Sequence, residues 1–434
     1  TDITKNVLPE GRQNMRVRRS EPVLVHAATA TADDEYYYLS NLDQNVSVLM
    51  KTVHVFSPSG ERTASGDTAA VIMDALGRVL VHYYPFEGSL VIDADDGRLS
   101  VRNDRHGVPF VVADADCELK EIEDVVSAPD AAVQAQLVFV RGISEENAPL
   151  LTVQLTRFRC GGFVLGLAMN HCLADGIAAA EFLRSWAEAA RGVPLSAPPF
   201  LDRTVLRARA SPTVAFPHEE FAEMEDVSGL ADLRDEPRVH RAFTIDAARL
   251  VRLKRKTAAR STFVALTAFV WRAMARATRM RPEQRSRLMF AVDVRRRVDP
   301  PLPRGFCGNA VVFTCCVSTA GDLLARPVSE AARSIQDAIG RTDDAFVRSA
   351  IDHIEVARAR APSMAATTLV TAWNRIGFHA ADFGWGEATQ SGPAELPRGE
   401  VVMFTRDTRD GSTVVLLGLP RSCMQAFQDI VDLL

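Results

Sequence analysis

The feature that most constrains the fold is a long stretch near the middle of the chain in which apolar periodicity weakens. From Pro194 to about Val239 the sequence is rich in Pro, Ala and Glu, and Ala197-Pro198-Pro199-Phe200 interrupts regular structure. The chain has 434 residues, too many for one hydrophobic core of ordinary size. We therefore predict two domains, residues 1–195 and 237–434, joined by a long crossover at 196–236.

Both halves mix strands and helices. Runs of β-branched and apolar residues predict strands, and apolar residues at helical spacing predict helices. The predicted strands are Ser47–Phe56, Leu150–Phe158, Gly162–Met169, Arg287–Val294, Ala310–Val317, Val401–Arg406 and Ser412–Leu419. The predicted helices are Asp67–Leu80, Ile177–Ala190, Ser261–Thr278, Pro327–Thr342 and the last residues of the chain. This mixture indicates two α/β domains with largely mixed sheets.

The composition excludes several classes of protein. Apolar residues make up 47% of the chain and charged residues 24%, as in globular proteins. The net charge of -5 lacks the basic excess of nucleic-acid-binding proteins. No apolar run is long enough to span a membrane, and the N-terminal residues lack the apolar core of a signal peptide. Seven cysteines, with no C-x-x-C pair, argue against disulfides and structural zinc. We expect a cytoplasmic protein.

One short motif carries chemistry. His171-x-x-x-Asp175-Gly176 lies between a predicted strand and a predicted helix, where reactive side chains gather. An imidazole has a pKa of roughly 6.5 in water and can take a proton from a hydroxyl or amine at neutral pH. The spacing alone also fits a hydrogen-bonded polar histidine, or a metal site that lacks a third ligand. Cys172 is interpreted as a packing residue.

A second motif, Asp382-Phe383-Gly384-Trp385-Gly386, makes the pattern specific. With His171…Asp175-Gly176 in this order, the sequence resembles the plant BAHD acyl-CoA-dependent acyltransferases. Other matching segments are Leu39–Asn45, Tyr83–Leu90, Cys160–Phe163, Asp293-x-Arg295, Pro301-x-Pro303 and Gly308-Asn309. Glu87 and Ser89 depart from the family, which has a small residue and an arginine there.

The resemblance implies a fold and a chemistry. The family fold is two chloramphenicol-acetyltransferase-like domains with mixed sheets and an active-site channel between them. Acyl-CoA would enter from one face as co-substrate, and a small-molecule acceptor from the other. The resemblance implies no metal, no cofactor and no covalent intermediate, and a monomer without nucleic acid or a membrane span as partner.

The resemblance also implies roles for single residues. His171 would be the general base that deprotonates the acceptor. Thr371 and Trp373 would donate hydrogen bonds to the oxyanion. Asp175 would pair with Arg295 and orient the loop that carries His171. Three residues of the second motif, Asp382, Gly384 and Trp385, would be structural.

Coenzyme A carries phosphates, so cationic residues are expected near the channel mouth. Lys254 and Arg255 belong to the densest basic run, which also fits a solvated helix face. Ser261 and Thr262 begin the helix that borders the CoA tunnel in relatives, and they could contact CoA.

Within the family, the sequence is most similar to hydroxycinnamoyl-CoA (feruloyl, caffeoyl or coumaroyl) transferases that act on ω-hydroxy fatty acids and fatty alcohols, the chemistry of suberin and cutin. Ile376-Gly377-Phe378 stands where shikimate-using relatives tend to have Leu-Pro. The alternatives are shikimate itself, a polyamine such as spermidine held by Glu387, Asp352 or Glu355, and a non-catalytic acyl-CoA-binding relative.

Overall fold

A computed structural model gives the architecture of most of the chain. It describes residues 15–29, 31, 35–58, 67–122, 124–126, 130–140, 148–357, 364–395, 399–407 and 410–434. The strands are β1 (Val17–Arg19), β2 (Val23–Val25), β3 (Tyr36–Tyr38), β4 (Leu49–Phe56), β5 (Ser89–Ile92), β6 (Leu99–Arg102), β7 (Val108–Ala115), β8 (Leu151–Arg157), β9 (Phe163–Asn170), β10 (Arg238–Ile245), β11 (Arg285–Asp293), β12 (Val311–Thr319), β13 (Thr367–Ala372), β14 (Gln390–Pro393), β15 (Val401–Arg406) and β16 (Thr413–Pro420). The helices are α1 (Asn41–Gln44), α2 (Thr68–Leu80), α3 (Ala131–Leu137), α4 (Gly176–Ala190), α5 (Ala247–Thr257), α6 (Thr262–Ala277), α7 (Ala320–Ala325), α8 (Val328–Arg341), α9 (Asp344–Ala357) and α10 (Arg421–Asp432).

Two large mixed sheets organise these elements. The first has the order β1-β7-β8-β9-β4-β14, with β2 also paired to β7, and only β7 and β8 run parallel. The second has the order β10-β16-β15-β13-β11-β12, in which β13 runs parallel to both of its neighbours. A three-stranded sheet, β3-β6-β5, completes the first half. The α/β class with mixed sheets in two domains is therefore confirmed.

Helix starts are encoded locally. The Asp175 carboxylate accepts a hydrogen bond from the Ala178 N–H and begins α4. The Ser261 hydroxyl likewise accepts from the Val264 N–H and begins α6. These bonds satisfy amides that would otherwise lack a partner in the first turn of a helix. The residues after the histidine therefore form a helix whose start is fixed by Asp175.

Each large sheet is covered by helices that bury a tryptophan. On the first sheet, Trp186 of α4 is fully buried and its indole donates to the Ile72 carbonyl of α2, at 2.9 Å. On the second, Trp271 of α6 donates to the Ser286 hydroxyl of β11, also at 2.9 Å. A buried aromatic side chain removes ~150–250 Å² from water, and here its polar atom also has a partner. The two cores are therefore separately packed.

One strand crosses between the halves. β14 lies in the second half of the sequence, yet it pairs antiparallel with β4 of the first sheet, with Gly392 opposite Val53. The aromatic residues just before it, Phe383 and Trp385, are buried in the core of the first half. The domain limits 1–195 and 237–434 stay a prediction, and the sheets do not divide strictly at the crossover.

The crossover is anchored by a fully buried arginine. Arg203 donates to the carbonyls of Cys172 and Leu173 in the first half and to the carbonyl of Cys307 in the second. Burial would lower the pKa of Arg203, but the Asp43 carboxylate together with the side chains of Tyr37, Cys307 and Cys172 outweighs burial and raises the pKa. The crossover therefore ties both halves together behind the histidine loop.

Among the described residues, every helix is too short or too polar to traverse a bilayer.

Candidate active site

His171 lies immediately after β9, at the junction of the two halves. Its backbone N–H donates to the Val48 carbonyl at 2.8 Å, which holds the residue against the start of β4. Its side chain lines a narrow cavity of about 40 Å³. The cavity walls come from both halves, and they are Met50, Thr52, Leu167, Met169, His171, Ala174, Asp175, Gly176, Ala179, Trp373 and Phe378.

A neighbouring amide fixes the proton on the imidazole. The Nδ2 of Asn309 donates to the Asp43 carboxylate and to the His171 carbonyl, each at 2.8 Å. Both of these partners can only accept, so the amide oxygen Oδ1 must face the imidazole Nδ1, at 2.9 Å. An amide oxygen also only accepts, so Nδ1 carries the proton. The other ring nitrogen, Nε2, therefore has a free lone pair.

Asp43 holds this amide in place. The carboxylate is fully buried, and it accepts from the backbone N–H of Asn309 at 3.0 Å. It also accepts from the backbone N–H and the hydroxyl of Ser40, both at 2.7 Å. The guanidinium of Arg203 lies 3.2 Å from it. Arg203, Asp43, Asn309 and His171 thus form one continuous network of polar contacts, in which only His171 is partly exposed.

Asp175 is not part of the network around Asn309. Its carboxylate pairs with the guanidinium of Arg295 through two bonds of 2.9 Å and also accepts the Ala310 N–H at 2.9 Å. Burial would lower the pKa of Arg295, but the charges and hydrogen bonds of Asp175 and Asp293 together outweigh burial and raise the pKa. The ion pair implied by the resemblance is therefore present, and it joins the α4 start to the second half.

Gly176 allows the two halves to meet closely at the cavity. A Cβ atom on this residue would lie 2.6 Å from Cδ1 of Ile376, well inside van der Waals contact. Ile376 belongs to the loop that follows β13 and packs against the first core. A larger side chain at position 176 would therefore force the Ile376 side chain to move.

Comparison with known proteins decides the family. The profile of the "Transferase: Transferase family" matches residues 15–434, nearly the whole chain. The chain belongs to the BAHD acyltransferase family. The fatty alcohol:caffeoyl-CoA acyltransferase of Arabidopsis thaliana is 46% identical to it, over 96% of this chain and 98% of that protein. The omega-hydroxypalmitate O-feruloyl transferase of Arabidopsis thaliana is 43% identical, over 99% and 95%. Like these relatives, this chain is an acyl-CoA-dependent acyltransferase.

Solved structures confirm the fold. Vinorine synthase superposes with a TM-score of 0.76 over 95% of this chain and 96% of its own, at 20% sequence identity. TRI101 of F. sporotrichioides, complexed with coenzyme A and T-2, superposes with a TM-score of 0.74 over 91% of this chain and 97% of its own, at 17% identity. At such identities the likeness concerns the fold alone, and it agrees with a two-domain α/β architecture with mixed sheets.

The two predicted oxyanion donors of this BAHD chain differ in their position relative to the His171 cavity. Trp373 lines the His171 cavity, and its backbone N–H donates to the Phe404 carbonyl at 2.7 Å. Thr371 lies two residues earlier, in β13, where it is paired with Met403 of β15, and it does not line the cavity. Of the two, Trp373 is the one that the structure brings to the histidine.

The second BAHD motif forms a turn packed on the first sheet. Asp382 Oδ1 accepts from the N–H groups of Gly384 and Gly386, at 2.7 and 2.9 Å. Gly384 has φ of 104°, a conformation that favours glycine. Trp385 stacks edge-on against Phe163, with ring centroids 5.6 Å apart. None of these five residues lines the His171 cavity, so their visible contacts are structural.

The residues predicted to bind CoA lie apart from the histidine. Ser261 caps α6, which Thr262 begins, while Lys254 and Arg255 lie in the last turn of α5. None of these four lines the His171 cavity. Cationic side chains in a last helical turn also complement the helix dipole, so a structural role accounts for their position as well.

Sequence reasoning missed several polar residues around the cavity. Asn309 and Asp43 were recognised only as parts of matching segments. Thr52 bonds to His54 at 3.0 Å, and the other ring nitrogen of His54 bonds to Ser391 of β14. Burial lowers the pKa of His54 to about 3 and keeps it neutral. A single polar residue in a strand gives no signal for such a partner, which comes from the opposite half.

Three further observations concern earlier expectations. The departing residue Glu87 is buried and accepts the Ala27 N–H at 3.0 Å, so it anchors a neighbouring segment. Cys172 is buried, and burial raises the pKa of its thiol to about 12, which suits packing. Among the described residues, no group of three or more His, Cys, Asp and Glu side chains could hold a metal ion.

Proposed function

We propose that this enzyme transfers a hydroxycinnamoyl group (feruloyl, caffeoyl or coumaroyl) from CoA to the hydroxyl of a fatty alcohol or an ω-hydroxy fatty acid. The observation that carries the substrate class is the 46% and 43% identity, over nearly full length, to the two Arabidopsis enzymes named for these reactions. The proposal includes a monomeric, cytoplasmic protein that serves suberin or cutin chemistry.

In the proposed mechanism, His171 is the general base. Its Nε2 takes the proton of the acceptor hydroxyl as that oxygen attacks the thioester carbonyl. Asn309 supports this role because it keeps the proton on Nδ1. The tetrahedral intermediate collapses, the C–S bond breaks, and the imidazolium returns the proton to the CoA thiolate. The step needs neither a cofactor nor a covalent intermediate.

Charge on the carbonyl oxygen needs a donor. We assign this role first to the indole N–H of Trp373, which lines the cavity, and second to the hydroxyl of Thr371. A preorganised donor lowers such barriers by about 3 kcal/mol. Asp175 and Arg295 hold the loop, and we place Ser261, Thr262, Lys254 and Arg255 along the CoA path.

The cavity wall supports an aliphatic or aromatic ligand. Apart from His171, Asp175 and Thr52, the side chains around it are apolar or aromatic. Burial of an alkyl chain yields about 0.8 kcal/mol per CH₂ group. Methionine suits such a wall because its flexible side chain fills irregular gaps, and Met50 and Met169 face the cavity from neighbouring strands.

Two carboxylates proposed for a polyamine are already engaged. Asp352 is buried and pairs with Arg209 at 2.6 Å, and Glu355 pairs with Arg98 at 2.6 Å. A polyamine would have to displace these arginines to use either carboxylate. The engagement of these two carboxylates supports a neutral acceptor hydroxyl over spermidine.

The test is an acceptor panel. Feruloyl-CoA is combined with hexadecanol, 16-hydroxypalmitate, shikimate or spermidine, and CoA release is measured. We expect turnover with the two aliphatic hydroxyls and its loss, by at least about 10²-fold, in His171→Ala. His82→Ala, at an exposed histidine, is the matched control. Turnover with only shikimate or spermidine would overturn the acceptor, and no turnover with any acyl-CoA would favour a non-catalytic relative.

A further inference from the structure

A second cavity adjoins the His171 cavity behind two aromatic rings. Trp373 and Phe378 line both cavities, and their ring centroids are 5.7 Å apart. The second cavity is also narrow, about 30 Å³, and Asn374, Ser391, Thr405 and Arg406 are among its walls. The ring pair therefore separates two neighbouring spaces, and its parting would join them into one passage.

One wall residue of this second cavity has a buried polar group with no hydrogen-bond partner among the described residues. Thr405 is 3% exposed, and its hydroxyl oxygen is buried without any hydrogen-bond partner among the described residues. Leaving a buried hydroxyl unpaired costs about 1–3 kcal/mol. Each such group in a folded protein calls for an explanation, and a ligand in the cavity that Thr405 lines supplies one.

The same cavity has a positive wall. Arg406 follows Thr405 and lines the cavity, and its guanidinium lies over Gly411 in the β15–β16 turn. No ion pair joins Arg406 to a carboxylate in the described part of the chain, and none of the cavity walls is acidic. A guanidinium is a planar, permanently charged donor that binds carboxylates through two parallel hydrogen bonds.

The strand β15 connects the ring pair to Arg406. The backbone N–H of Trp373 donates to the Phe404 carbonyl. Arg406 lies two residues beyond Phe404 in the same strand, which is ~7 Å along the backbone. An extended ligand with one end at His171 would pass the two rings and reach Thr405 and Arg406 with its other end. Its middle would contact aromatic and apolar side chains.

We propose that Arg406 and Thr405 form a binding site for the terminal carboxylate of an ω-hydroxy fatty acid whose hydroxyl is at His171. This inference rests on the proposed function and deepens it. A fatty alcohol fills the same passage but has no group for Arg406. The site thus sets the preference between the two acceptor classes. An anion of CoA is the other chemical source of a negative charge, and the test separates the two.

The test compares two acceptors of equal length that differ in the carboxylate. With feruloyl-CoA as donor, Arg406→Gln should raise the KM for 16-hydroxypalmitate at least 10-fold, and leave the values for hexadecanol and feruloyl-CoA within 2-fold. Thr405→Val should raise the KM for 16-hydroxypalmitate several-fold. Arg421→Gln, at an exposed arginine of α10, is the matched control and should change neither acceptor.

Several outcomes overturn the site. An unchanged preference in Arg406→Gln would do so, as would equal losses with both acceptors. A raised KM for feruloyl-CoA alone would assign Arg406 to a CoA phosphate instead. Calorimetric binding of palmitate to wild type and Arg406→Gln tests the site without turnover, and equal affinity would refute it. Absence of turnover with either aliphatic acceptor in the wild type would count against the proposed function itself.

Discussion

At the scale of the residue, the reactivity of His171 depends on which ring nitrogen carries its proton. Two groups that can only accept, the Asp43 carboxylate and the His171 carbonyl, face the side-chain nitrogen of Asn309, so its amide can point in only one direction. The amide oxygen then keeps the proton on Nδ1 of His171. The base is thus prepared by a residue of the other half of the chain, and not by Asp175, its neighbour in the motif.

Asn309→Leu should therefore impair catalysis more than binding. Without the amide oxygen, the imidazole populates the tautomer with a proton on Nε2, which cannot accept one. We expect kcat to fall about 10- to 100-fold, with the KM values changed less. The measurement is steady-state kinetics together with nitrogen NMR of the histidine ring. An Nδ1-protonated ring with full kcat in the variant would contradict the argument, and a thermal melt checks that the variant folds.

His54 should make stability depend on pH. The folded protein keeps this buried ring neutral down to a pKa of about 3, whereas a histidine in the unfolded chain takes up its proton near pH 6.5. Unfolding therefore binds a proton between these values, and stability is lost as the pH falls below about 6.5, by up to about 1.4 kcal/mol per pH unit.

Urea unfolding at pH 7.0 and pH 5.5 measures this effect. The loss of unfolding free energy between the two pH values should be smaller in His54→Gln, which cannot titrate, than in the wild type. His82→Gln, at an exposed histidine, should behave as the wild type. Equal losses in all three proteins would show that His54 is not the group that titrates.

At the scale of the element, the start of α4 is shaped by the loop that follows β13. Gly176→Ala would place a Cβ atom 2.6 Å from Cδ1 of Ile376. The end of a flexible side chain can move, so we expect a loss of about 1–3 kcal/mol in unfolding free energy and a lower kcat/KM. Ile376→Ala in the same chain should recover most of the loss. Additive losses in the double variant, measured by a double-mutant cycle, would refute the contact.

The elements also show how far the sequence alone could lead. The strands Val401–Arg406 and Ser412–Leu419 and the helix at Ser261–Thr278 were predicted to within a few residues, because local periodicity encodes them. β13 and α9 were not predicted. β14 contains Gly392 and Pro393, which argue against a strand, and only its pairing with β4 makes it one.

The residues of the site likewise fall into those that the sequence predicted and those that it did not. The sequence motif and the family resemblance identified His171, Asp175 and Arg295. The contact between Asp43 and Asn309 joins residues 266 positions apart, and no local pattern predicts it. Such a contact depends on how the two halves pack, which is decided by long-range burial of polar groups in pairs.

At the scale of the whole molecule, the two halves share structure on both sides of the cavity. Arg203 of the crossover bonds carbonyls of both halves behind His171, and β14 carries the second half into the first sheet. Because the second half contributes a strand to the first sheet and both halves bond to one buried arginine, neither half can unfold alone without breaking these contacts. These contacts therefore fix the positions of the two halves on either side of the His171 cavity.

Calorimetry should show this coupling. We expect the wild type to unfold in a single transition, although chains of this size often show more than one. Gly392→Val should divide it into two, because a Cβ atom at Gly392 would lie 2.6 Å from Cγ1 of Val126 and displace β14 from β4. Gly340→Val, on an α8 residue with open space around it, is the control that should keep one transition. Two transitions in the wild type, or one in Gly392→Val at an unchanged temperature, would mean that β14 does not couple the halves.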